Sequence, residues 1–422
     1  MSVSNFQCPI SLLSNINKIF EKLMHSRLYD FLTIHDCIYE HQFGFRNKHS
    51  TNHALLDLTE DIRRALDDNS FAVGIFIDLQ KAFDTVDHKI LLHKLEYYGI
   101  RGIANDWIKS YLTNRKQFVT INGFDSSTNI MKFGVPQGSV LGPLLFLIYI
   151  NDLHTAIKYC TTRHFADDTN LLIKNKSLKQ MKKHVNLDLR NLCKWLKSNK
   201  ISLNASKTEL LVFRHPNKEL NYDLKIKIDG KKLLPSNYVK YLGILIDSHL
   251  KWNYQTDNLA SKLSRAIGML TKIRHYVSKN TLRSIYYGIF SSTLTYGCQI
   301  WGQIQNKYVN RVIKLQDKAI RIINFAYFNA STKLLYYNSK ILKFSDNIKL
   351  LNFAYVHNSL KGNLPSVLNN NFIFSKDVHN YNTRGSSLNK IMIHKAKMKV
   401  YGLKSLNYES SIAWNCLVIL EI

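Results

Sequence analysis

The sequence predicts an α+β fold in which strands and helices alternate first and helices alone follow. Short apolar runs rich in β-branched residues alternate with helical periodicity as far as about residue 250, and helical periodicity dominates after that point. Hydrophobic residues make up 45% and aromatic residues 12% of the 422-residue chain, which excludes a disordered protein. A chain of this length and composition is able to form about two or three packed domains.

The N-terminal part of the chain contains the signals of three helices and one strand. A Ser-Asn pair at residues 14–15 is suited to begin a helix whose apolar residues recur every three or four positions. A second helical pattern covers residues 51–66. The β-branched run Phe71–Ile77 is typical of a buried strand, and a turn-rich loop at residues 134–139 precedes a buried helix predicted over residues 140–153.

Strands and one long helix are predicted for the middle of the chain. Residues 164–173 predict two strand segments on either side of a tight polar turn, and residues 176–197 form an amphipathic helical pattern. Further strands are predicted at residues 210–213, 224–228 and 238–246, with Asp229 and Gly230 as a hairpin turn. Six prolines in the whole chain and no Pro/Gly/Ser-rich linker indicate packed elements joined by short turns.

The chain is strongly basic. Lys and Arg number 58 against 30 Asp and Glu, so the formal net charge is +28. The charge is uneven, because residues 1–77 carry 7 basic and 9 acidic side chains, whereas residues 251–340 carry 14 basic and 2 acidic ones. Such an excess favours a polyanionic partner, for which nucleic acid is the usual candidate. The alternative is a basic surface that serves solubility alone.

Three classes of protein are disfavoured by the sequence. The longest nearly unbroken apolar run, at residues 140–150, is shorter than the roughly 20 residues of a membrane-spanning helix, so no membrane association is expected. No basic segment followed by an apolar stretch marks a secretory signal near the N-terminus. The six cysteines contain no C-x-x-C pair, which favours reduced thiols in the nucleus or cytoplasm over a disulfide framework or a zinc site.

Acidic residues occur at two positions next to predicted buried strands, where a charge is unfavourable. Asp78 follows the apolar run Phe71–Ile77, and Asp167 and Asp168 interrupt an otherwise apolar stretch. Carboxylates at such positions are costly unless a cation neutralises them, and Mg²⁺ prefers hard oxygen ligands of this kind. The alternatives are a helix-capping acid for Asp78 and a solvated turn for the acidic pair, as is expected for the pair at residues 67–68.

The order of the surrounding motifs favours the chemical interpretation over these alternatives. Asp78 lies in the segment FIDLQKAFD and the later acidic pair in FADD, and the other motifs are GVPQGSVLGP from Gly134, LNASKT from Leu203 and YLGI from Tyr241. This series resembles motifs A to E of a reverse transcriptase, most closely those of non-LTR (LINE-like, jockey-type) retrotransposons. Segments at residues 9–13, 18–22 and 42–51 are similar to the fingers region of that group, and those at 381–384 and 414–415 to its C-terminal tail.

The resemblance implies a right-hand polymerase with fingers, a palm built from an antiparallel sheet plus helices, and a helical thumb. We expect the fingers in residues 1–77, the palm with motifs A to E in residues 78–250, a basic helical thumb in residues 251–340 and a helical or irregular tail in residues 341–422. One position departs from the family pattern: Cys8 precedes Pro9 where the family usually has Arg, which weakens the case for a phosphate contact there.

Carried to this sequence, the resemblance assigns roles in catalysis and nucleotide binding. Asp78, Asp167 and Asp168 are implied to be the catalytic carboxylates, which hold two Mg²⁺ ions, with Mn²⁺ as an alternative ion. The implied nucleotide-binding residues are Arg46 at the triphosphate, Leu79 through its carbonyl, Phe83 against the sugar, Gln137 and Gly138 in the pocket, and Lys207 beside the leaving pyrophosphate. An aromatic residue at position 83 implies deoxynucleotides.

These nucleotide-pocket assignments have structural alternatives. Arg46 and Lys207 also fit solvated surface positions, and Phe83 also fits the apolar face of a helix. Gln137 and Gly138 also fit a plain turn, since glycine is common in turns of any kind.

Two further sets of residues are implied to hold primer and template. Tyr241, Leu242 and Gly243 would position the primer end, with a buried core strand as the alternative. In the expected thumb, basic residues recur every three or four positions, and such a stripe is able to track phosphates, whereas an ordinary solvated face is usually mixed in sign. The stripe consists of Lys307, Arg311, Lys314, Lys318 and Arg321.

The implied function is RNA-directed DNA synthesis, in which a primer 3′-hydroxyl attacks a deoxynucleoside triphosphate under the direction of an RNA template. The implied partners are that RNA, a DNA primer and an endonuclease supplied separately, because no segment resembles the group's endonuclease. One alternative is a truncated, catalytically weak retroelement remnant that only binds nucleic acid. A second is an RNA-templated RNA polymerase with the same palm, which would use ribonucleotides.

Overall fold

Helices and short strands alternate through the first 250 residues of the chain. The computed structural model describes residues 11–219, 224–303, 307–369, 371–378 and 390–420. The helices of the first part are α1 (Asn15–Ile34), α2 (Thr51–Asp67), α3 (His88–Tyr97), α4 (Ile103–Leu112), α5 (Gly142–Ile150) and α6 (Leu178–Ser198). Its strands are β1 (Phe71–Ile77), β2 (Leu79–Gln80), β3 (Lys116–Gln117), β4 (Thr120–Ile121), β5 (Phe124–Asp125), β6 (Asn129–Ile130), β7 (Thr161–Phe165), β8 (Asp168–Asn175), β9 (Ser202–Leu203), β10 (Glu209–Phe213), β11 (Ile226–Ile228), β12 (Lys231–Leu233), β13 (Tyr238–Tyr241) and β14 (Ile244–Asp247).

The described residues after position 250 are almost entirely helical. The helices are α7 (Asn253–Ile273), α8 (Lys279–Ile285), α9 (Ser292–Thr295), α10 (Cys298–Trp301), α11 (Lys307–Ile323), α12 (Thr332–Ser339), α13 (Phe344–Leu360), α14 (Ser366–Asn369), α15 (Ser375–Val378) and α16 (Leu406–Leu420). None of the helices that the structure describes combines the length and the apolarity that a bilayer crossing requires.

A four-stranded antiparallel sheet in the order β10–β1–β8–β7 forms the centre of the first part. β1 is an inner strand, in which Gly74 lies opposite Leu211 on β10 and opposite Leu172 on β8. All seven residues of β1 are buried, because packed elements cover both faces of the sheet. A strand in this position carries a continuous apolar run rather than an alternating one.

Alternate residues of β1 enter two separate cores, since successive side chains of a strand point to opposite faces. On one face, Ala72 and Phe76 join a core that contains the apolar residues of α2 and continues into the helices after residue 250. On the other face, Val73 and Ile75 pack with the apolar residues of α3, α5 and α6. The C-terminal helices are therefore attached to one face of the sheet, and α6 lies on the opposite face.

The helical part begins at a turn held by one buried carboxylate. Asp247, at the end of β14, accepts hydrogen bonds from the N–H groups of His249 at 3.0 Å, Lys251 at 3.0 Å and Trp252 at 2.7 Å. Trp252 is buried and has a left-handed backbone, with φ of 61°. Asp247 thus provides hydrogen-bond acceptors for the main-chain N–H groups of a turn in which a bulky residue takes a rarely populated backbone conformation. This turn sets the direction in which α7 leaves the sheet.

A buried ion cluster joins α2 to the sheet. The Arg163 guanidinium on β7, whose side chain is 1% exposed, donates to Asp57 at 2.6 Å and to Asp61 at 2.5 Å. Both acids lie on α2, where Asp57 also contacts His41 and Asp61 also contacts Lys174 of β8. Burial alone would raise the pKa of the two carboxyls, but Arg163, together with His41 at Asp57 and Lys174 at Asp61, more than offsets burial and holds each pKa below its ordinary value.

The predicted α+β order is observed, and one predicted strand is wrong. β7 and β8 form the hairpin expected in residues 164–173, and Asp229 and Gly230 form the expected turn between β11 and β12. Residues 238–246 are not one strand, because Leu242 and Gly243 have positive φ values of 44° and 81° and the chain reverses there to pair β13 with β14. The domain boundaries expected at residues 77, 250 and 340 stay predictions.

We predict that Arg163→Met strongly destabilises the fold, because it removes the buried cation shared by Asp57 and Asp61 and leaves each half-buried carboxylate with its weaker contact to His41 or Lys174 alone. Removing one partner of a buried ion cluster costs about 3–5 kcal/mol, and urea unfolding should show a free energy of unfolding lower by that amount. The matched control is Arg311→Met, which breaks an exposed pair with Asp257 and should cost less than about 1 kcal/mol. Equal losses in the two variants would contradict the assignment.

Candidate functional site

A tight hairpin presents the acidic pair at the end of the sheet. Phe165 of β7 pairs with Asp168 of β8, so the loop between them consists of Ala166 and Asp167 alone. Ala166 takes a left-handed conformation, with φ of 56°, which such a two-residue loop requires and which a residue with a Cβ adopts rarely. Asp167 is half-buried and Asp168 is exposed at the tip of this hairpin.

Strand register brings Asp78 to the same end of the sheet. Ile77 of β1 pairs with Thr169 of β8, so Asp78 and Asp168 occupy the next positions in the same direction. Directly opposed residues of antiparallel strands have Cα atoms about 4.5–5.5 Å apart. Asp78 therefore neighbours the predicted metal ligands Asp167 and Asp168 in the fold, although it is distant from them along the chain.

The three carboxylates repel one another. Burial together with the charges of Asp167 and Asp78 raises the pKa of the Asp168 carboxyl to about 6. Burial together with Asp78 also raises the pKa of the Asp167 carboxyl. In the described part of the chain, no basic side chain forms an ion pair with Asp167 or Asp168. The site thus concentrates negative charge that a bound divalent cation would neutralise.

The carboxylate oxygens of Asp78, Asp167 and Asp168 suit a hard divalent cation, although these side chains do not point at one common position as bound ligands do. Among the described residues, no three His, Cys, Asp or Glu side chains stand in the arrangement of a formed metal centre. The Asp78 carboxylate instead accepts a hydrogen bond from the Asn204 amide at 2.8 Å, and the Asp78 carbonyl accepts one from the Asn204 N–H at 2.9 Å. The fit to a metal rests on the carboxylate oxygens and on their unneutralised charge.

The loop before α2 packs directly on the Asp167 turn. The Gln42 side-chain oxygen accepts hydrogen bonds from the N–H groups of Gly44 at 2.9 Å and Ala166 at 3.2 Å. The Phe43 N–H donates to the His164 carbonyl at 2.8 Å. A Cβ on Gly44 would lie 2.3 Å from the Ala166 nitrogen, so only glycine allows this approach. The position of the acidic turn is therefore set by a segment more than 100 residues away in sequence.

The two loops predicted to form the nucleotide pocket are bonded to each other. The Gln137 amide donates to the Asp84 carboxylate at 3.0 Å, and the Val135 N–H donates to the Phe83 carbonyl at 2.9 Å. Gly134 has φ of 86°, and a Cβ there would lie 2.8 Å from the Asp84 carbonyl oxygen. The segment GVPQGSVLGP, which corresponds to motif B, thus packs through its main chain on the turn that follows Asp78.

The remaining residues predicted for this pocket lie around that junction. The Phe83 ring is half-buried, stacks on Phe146 at 4.4 Å between ring centroids and meets Phe45 edge-on at 6.2 Å. Gly138 is exposed and has φ of 100°, so its main chain is open to an approaching molecule. Leu79 is buried in the short pairing of β2 with β9, where its side chain serves the core.

The two cations predicted at the triphosphate are placed differently. The Arg46 guanidinium donates to the carbonyls of Tyr39 at 3.0 Å and Gln42 at 3.3 Å, and burial lowers the pKa of this group. Lys207 is exposed in the turn that follows Asn204. Arg46 therefore stabilises the loop that holds the acidic turn, and a contact with phosphate would require it to exchange those bonds.

The motif predicted to position the primer is divided between core and surface. Tyr241 is buried and lies 5.2 Å from the Phe76 ring, and burial raises the pKa of its hydroxyl. Leu242 and Gly243 form the turn between β13 and β14, where the Tyr296 hydroxyl donates to the Leu242 carbonyl at 2.6 Å. Tyr241 is therefore a core residue, and the turn alone reaches the surface.

The predicted basic stripe lies on α11. Arg311, Lys314 and Lys318 are exposed, and Arg311 forms an ion pair with Asp257 of α7 at 3.0 Å. Arg321 differs, because it is half-buried and donates to the Ala330 carbonyl. Lys314 and Lys318 are thus open to a ligand, whereas Arg311 is exposed but paired with Asp257.

Part of the family resemblance lies outside the described residues. This applies to Cys8 and to the segment at residues 381–384. The tail residue Asn415 is described, and its amide exchanges two hydrogen bonds, of 2.8 and 2.9 Å, with the main chain of Ile391. Asn415 therefore has a structural role in the C-terminal part of the chain.

Comparison with known proteins supplies the family. The model described as "Reverse transcriptase (RNA-dependent DNA polymerase)" matches residues 3–246, more than half of the chain, including every strand that carries a predicted site residue. The chain belongs to the reverse transcriptase family. This confirms the prediction from the motif series, and the antiparallel sheet with its helices is the right-hand polymerase fold expected of a reverse transcriptase.

Curated relatives of this reverse transcriptase come from mobile elements. It is 33% identical over 332 residues to "Probable RNA-directed DNA polymerase from transposon BS" of Drosophila melanogaster, which covers 75% of the chain and 36% of the relative. It is 29% identical to "RNA-directed DNA polymerase from mobile element jockey" of the same species, over 82% of the chain and 38% of the relative. The predicted likeness to jockey-type elements is confirmed, and the chain spans 36–38% of the length of these two relatives.

A solved structure also aligns with this reverse transcriptase. A telomerase from Candida albicans in complex with a fragment of telomeric RNA aligns at a TM-score of 0.45 and 11% sequence identity. The alignment covers 78% of this chain and 59% of that chain.

Several residues that build this site carry no signal of their individual role in the sequence. They are Gln42 and Gly44 under the acidic turn, Asn204 beside Asp78, and Glu21 of α1. Glu21 is buried and accepts a hydrogen bond from the Val140 N–H at 2.6 Å, ahead of α5. Two signals are available in the sequence: Gly44 lies between two aromatic residues, and Glu21 is an acid within an apolar helical pattern. Both indicate close packing, but neither shows which segment packs against the residue.

We predict that Gly44→Ala displaces the acidic turn and abolishes most of the primer extension expected of a member of this family. The new Cβ would overlap the Ala166 nitrogen, which belongs to a paired main chain and cannot yield. A misplacement of about 1 Å costs on the order of 100-fold in rate, which single-turnover primer extension would measure. The control is Gly268→Ala, because a Cβ there meets no atom within 4 Å and activity should be kept. Full activity in Gly44→Ala would contradict the contact.

Proposed function

We propose that this chain catalyses RNA-directed DNA synthesis, adding deoxynucleotides to a primer 3′-hydroxyl on an RNA template. The observation that carries the proposal is the meeting of Asp78, Asp167 and Asp168 at one end of the sheet, without a basic partner for Asp167 or Asp168. Carboxylates grouped in this way meet the requirement of two-metal phosphoryl transfer. Membership of the reverse transcriptase family supports the same reaction.

A divalent metal is a general requirement of this family, and we propose Mg²⁺ as the ion used, with Mn²⁺ as an alternative. Asp78, Asp167 and Asp168 would hold two ions, whose chemistry is the stabilisation of the attacking and leaving oxygens. The protein's own contribution is orientation, since Asn204 holds the Asp78 carboxylate and Gln42 holds the turn that carries Asp167.

The nucleotide pocket is proposed to lie between the turn after Asp78 and the loop of motif B. Phe83 is fixed against Phe146, so its ring would give a rigid wall against the sugar and exclude a 2′-hydroxyl. Gln137, anchored to Asp84, and the exposed main chain of Gly138 would line the nucleotide. The exposed Lys207 would lie beside the leaving pyrophosphate, and its charge would favour departure.

Template and primer are proposed to lie between this pocket and α11. The turn at Leu242 and Gly243 would support the primer end, and Arg311, Lys314 and Lys318 would contact phosphates. Arg46 would reach the triphosphate only after leaving the carbonyls it now contacts. Because this chemistry consumes a DNA 3′-end rather than producing one, we propose that an endonuclease is supplied separately. We propose the nucleus or cytoplasm as the place where the protein acts.

We predict Mg²⁺-dependent primer extension with deoxynucleotides on an RNA template, abolished by Asp167→Ala because one of three charge-bearing ligands is lost. The matched control is Asp68→Ala, which removes an exposed acid from the other Asp-Asp pair and should keep activity. Extension assays and RNA–DNA binding would be measured side by side, and the Asp167→Ala protein should still bind.

Any result that differs from this expectation favours a different function for the chain or for the acidic turn. Binding without extension by the unaltered protein would favour a remnant that only binds nucleic acid. Preference for ribonucleotides would favour an RNA polymerase. Equal extension by the Asp167→Ala protein would remove the acidic turn from the reaction.

We predict that replacing Arg311, Lys314 and Lys318 with Gln weakens RNA–DNA binding and lowers its dependence on salt. Each lost phosphate contact reduces the log–log salt slope by about 0.7–0.9, so three contacts should reduce it by about 2 to 3. A triple variant at the exposed residues Lys89, Lys109 and Lys361 serves as the charge-matched control. A slope that is unchanged in the α11 variant, or that falls equally in both, would remove this surface from the nucleic-acid path.

A further inference from the structure

A large basic groove lies along α6, outside the candidate active site. It has a volume of about 780 Å³ and is formed by one face of α6 together with the chain around β11 and the turn at Asp229 and Gly230. We call it the α6 groove. Of the thirteen residues that line it, eight are Lys or Arg and one, Asp229, is acidic. The basic residues that α6 contributes are Lys179, Lys182, Lys183, Arg190, Lys194 and Lys197.

The charge of the α6 groove is not balanced from within the helix. α6 contains one acidic residue, Asp188, and this side chain is buried. It accepts hydrogen bonds from the N–H groups of residues 158–160 at 3.0, 2.9 and 2.8 Å, so its charge serves the main chain of that loop. On the groove itself, Asp229 lies 3.8 Å from Lys197. A solvated helix face usually mixes both signs, whereas this one gathers like charges around a concavity, which fits an anionic ligand.

The α6 groove is separated from the proposed primer–template path by the sheet. The apolar residues of α6, such as Val185 and Leu192, pack with Val73 and Ile75 on one face of β1. The helices after residue 250, including α11, belong to the core on the opposite face. A duplex lying between the acidic site and α11 would therefore not occupy the α6 groove, which leaves it for a different stretch of nucleic acid.

The lining of the α6 groove favours phosphates over bases. Among the described residues that line it there is no aromatic side chain, so stacking on unpaired bases is not provided. Lysine predominates over arginine by seven to one, and lysine acts as a point charge toward phosphate rather than as a planar fork that reads base edges. A double-helical nucleic acid, whose bases are paired inside and whose phosphates face outward, matches these features.

We propose that the α6 groove binds the phosphate backbone of a base-paired RNA segment. The choice of RNA rests on the proposed function, because the polymerase must capture a folded template of which only a short stretch lies at the acidic site. The groove would hold a hairpin of that RNA on the far face of the sheet, independently of its sequence, and would tether the template during synthesis.

The test measures binding of a blunt RNA hairpin of about 20 base pairs by fluorescence anisotropy. The variant Lys179→Gln, Lys183→Gln, Lys194→Gln changes three exposed residues of the groove, and Lys89→Gln, Lys109→Gln, Lys361→Gln is the charge-matched control. We expect about tenfold or greater loss of hairpin affinity in the groove variant, with a salt slope lower by about 2, and little change in the control. Extension of a short unstructured template should be unchanged in both.

Two further measurements fix the site and the ligand. Amine-reactive footprinting should show that the hairpin protects Lys179, Lys183 and Lys194 of the unaltered protein but not Lys89 or Lys109. Equal losses of affinity in the two triple variants, or no protection, would overturn the proposal. An equal loss for a DNA hairpin or for single-stranded RNA would overturn the assignment to paired RNA. If the unaltered protein failed to extend primers while the groove variant still lost hairpin binding, the proposed activity would fail and this inference would stand.

Discussion

The antiparallel pairing of β1 with β8 is the contact on which the site depends. It sets Asp78 beside Asp168 and Asp167, and burial together with the repulsion among these acids raises the pKa of Asp168 to about 6. Such an unfavourable arrangement persists only where the surrounding structure determines it. The sheet does so, because a slip of one residue in β1 would transfer Ala72 and Phe76 from one core to the other.

Segments distant in sequence then fix each acid separately. Gln42 binds the main chain of the acidic turn, Gly44 allows the approach, and Asn204 holds Asp78 from the other side. Arg163, three residues before Ala166 of the turn, is itself tied to α2 by the carboxylates of Asp57 and Asp61. The main chain at the acidic end of the sheet is thus held in place by contacts within the protein.

Local signals explain which parts of this fold the sequence predicts. β1 carries a continuous apolar run, a polar turn after Phe165 indicates the β7–β8 hairpin, and the series of motifs singles out the three acids as candidates. The turn at Leu242 is missed because a leucine with positive φ has no local signature, and the strand pattern continues across it. The roles of Gln42, Gly44 and Asn204 depend on which loops meet in space, and that information lies in the tertiary packing rather than in any one segment.

Charge balance distinguishes the structural from the functional regions of this molecule. Arg163 has two carboxylates, Asp188 has three main-chain N–H groups and Asp247 has three, so each of these buried charges is stabilised within the protein. Among the described residues, Asp167 and Asp168 at the end of the sheet have no basic partner, and the lining of the α6 groove holds eight basic residues against one acid. Because grouped like charges weaken a fold, they suit ligands of opposite sign, which under the proposed function are cations at the acids and phosphates along α6 and α11. The opposite signs of these surfaces match the two charges that the proposed reaction would have to balance, that of its metal ions and that of its template.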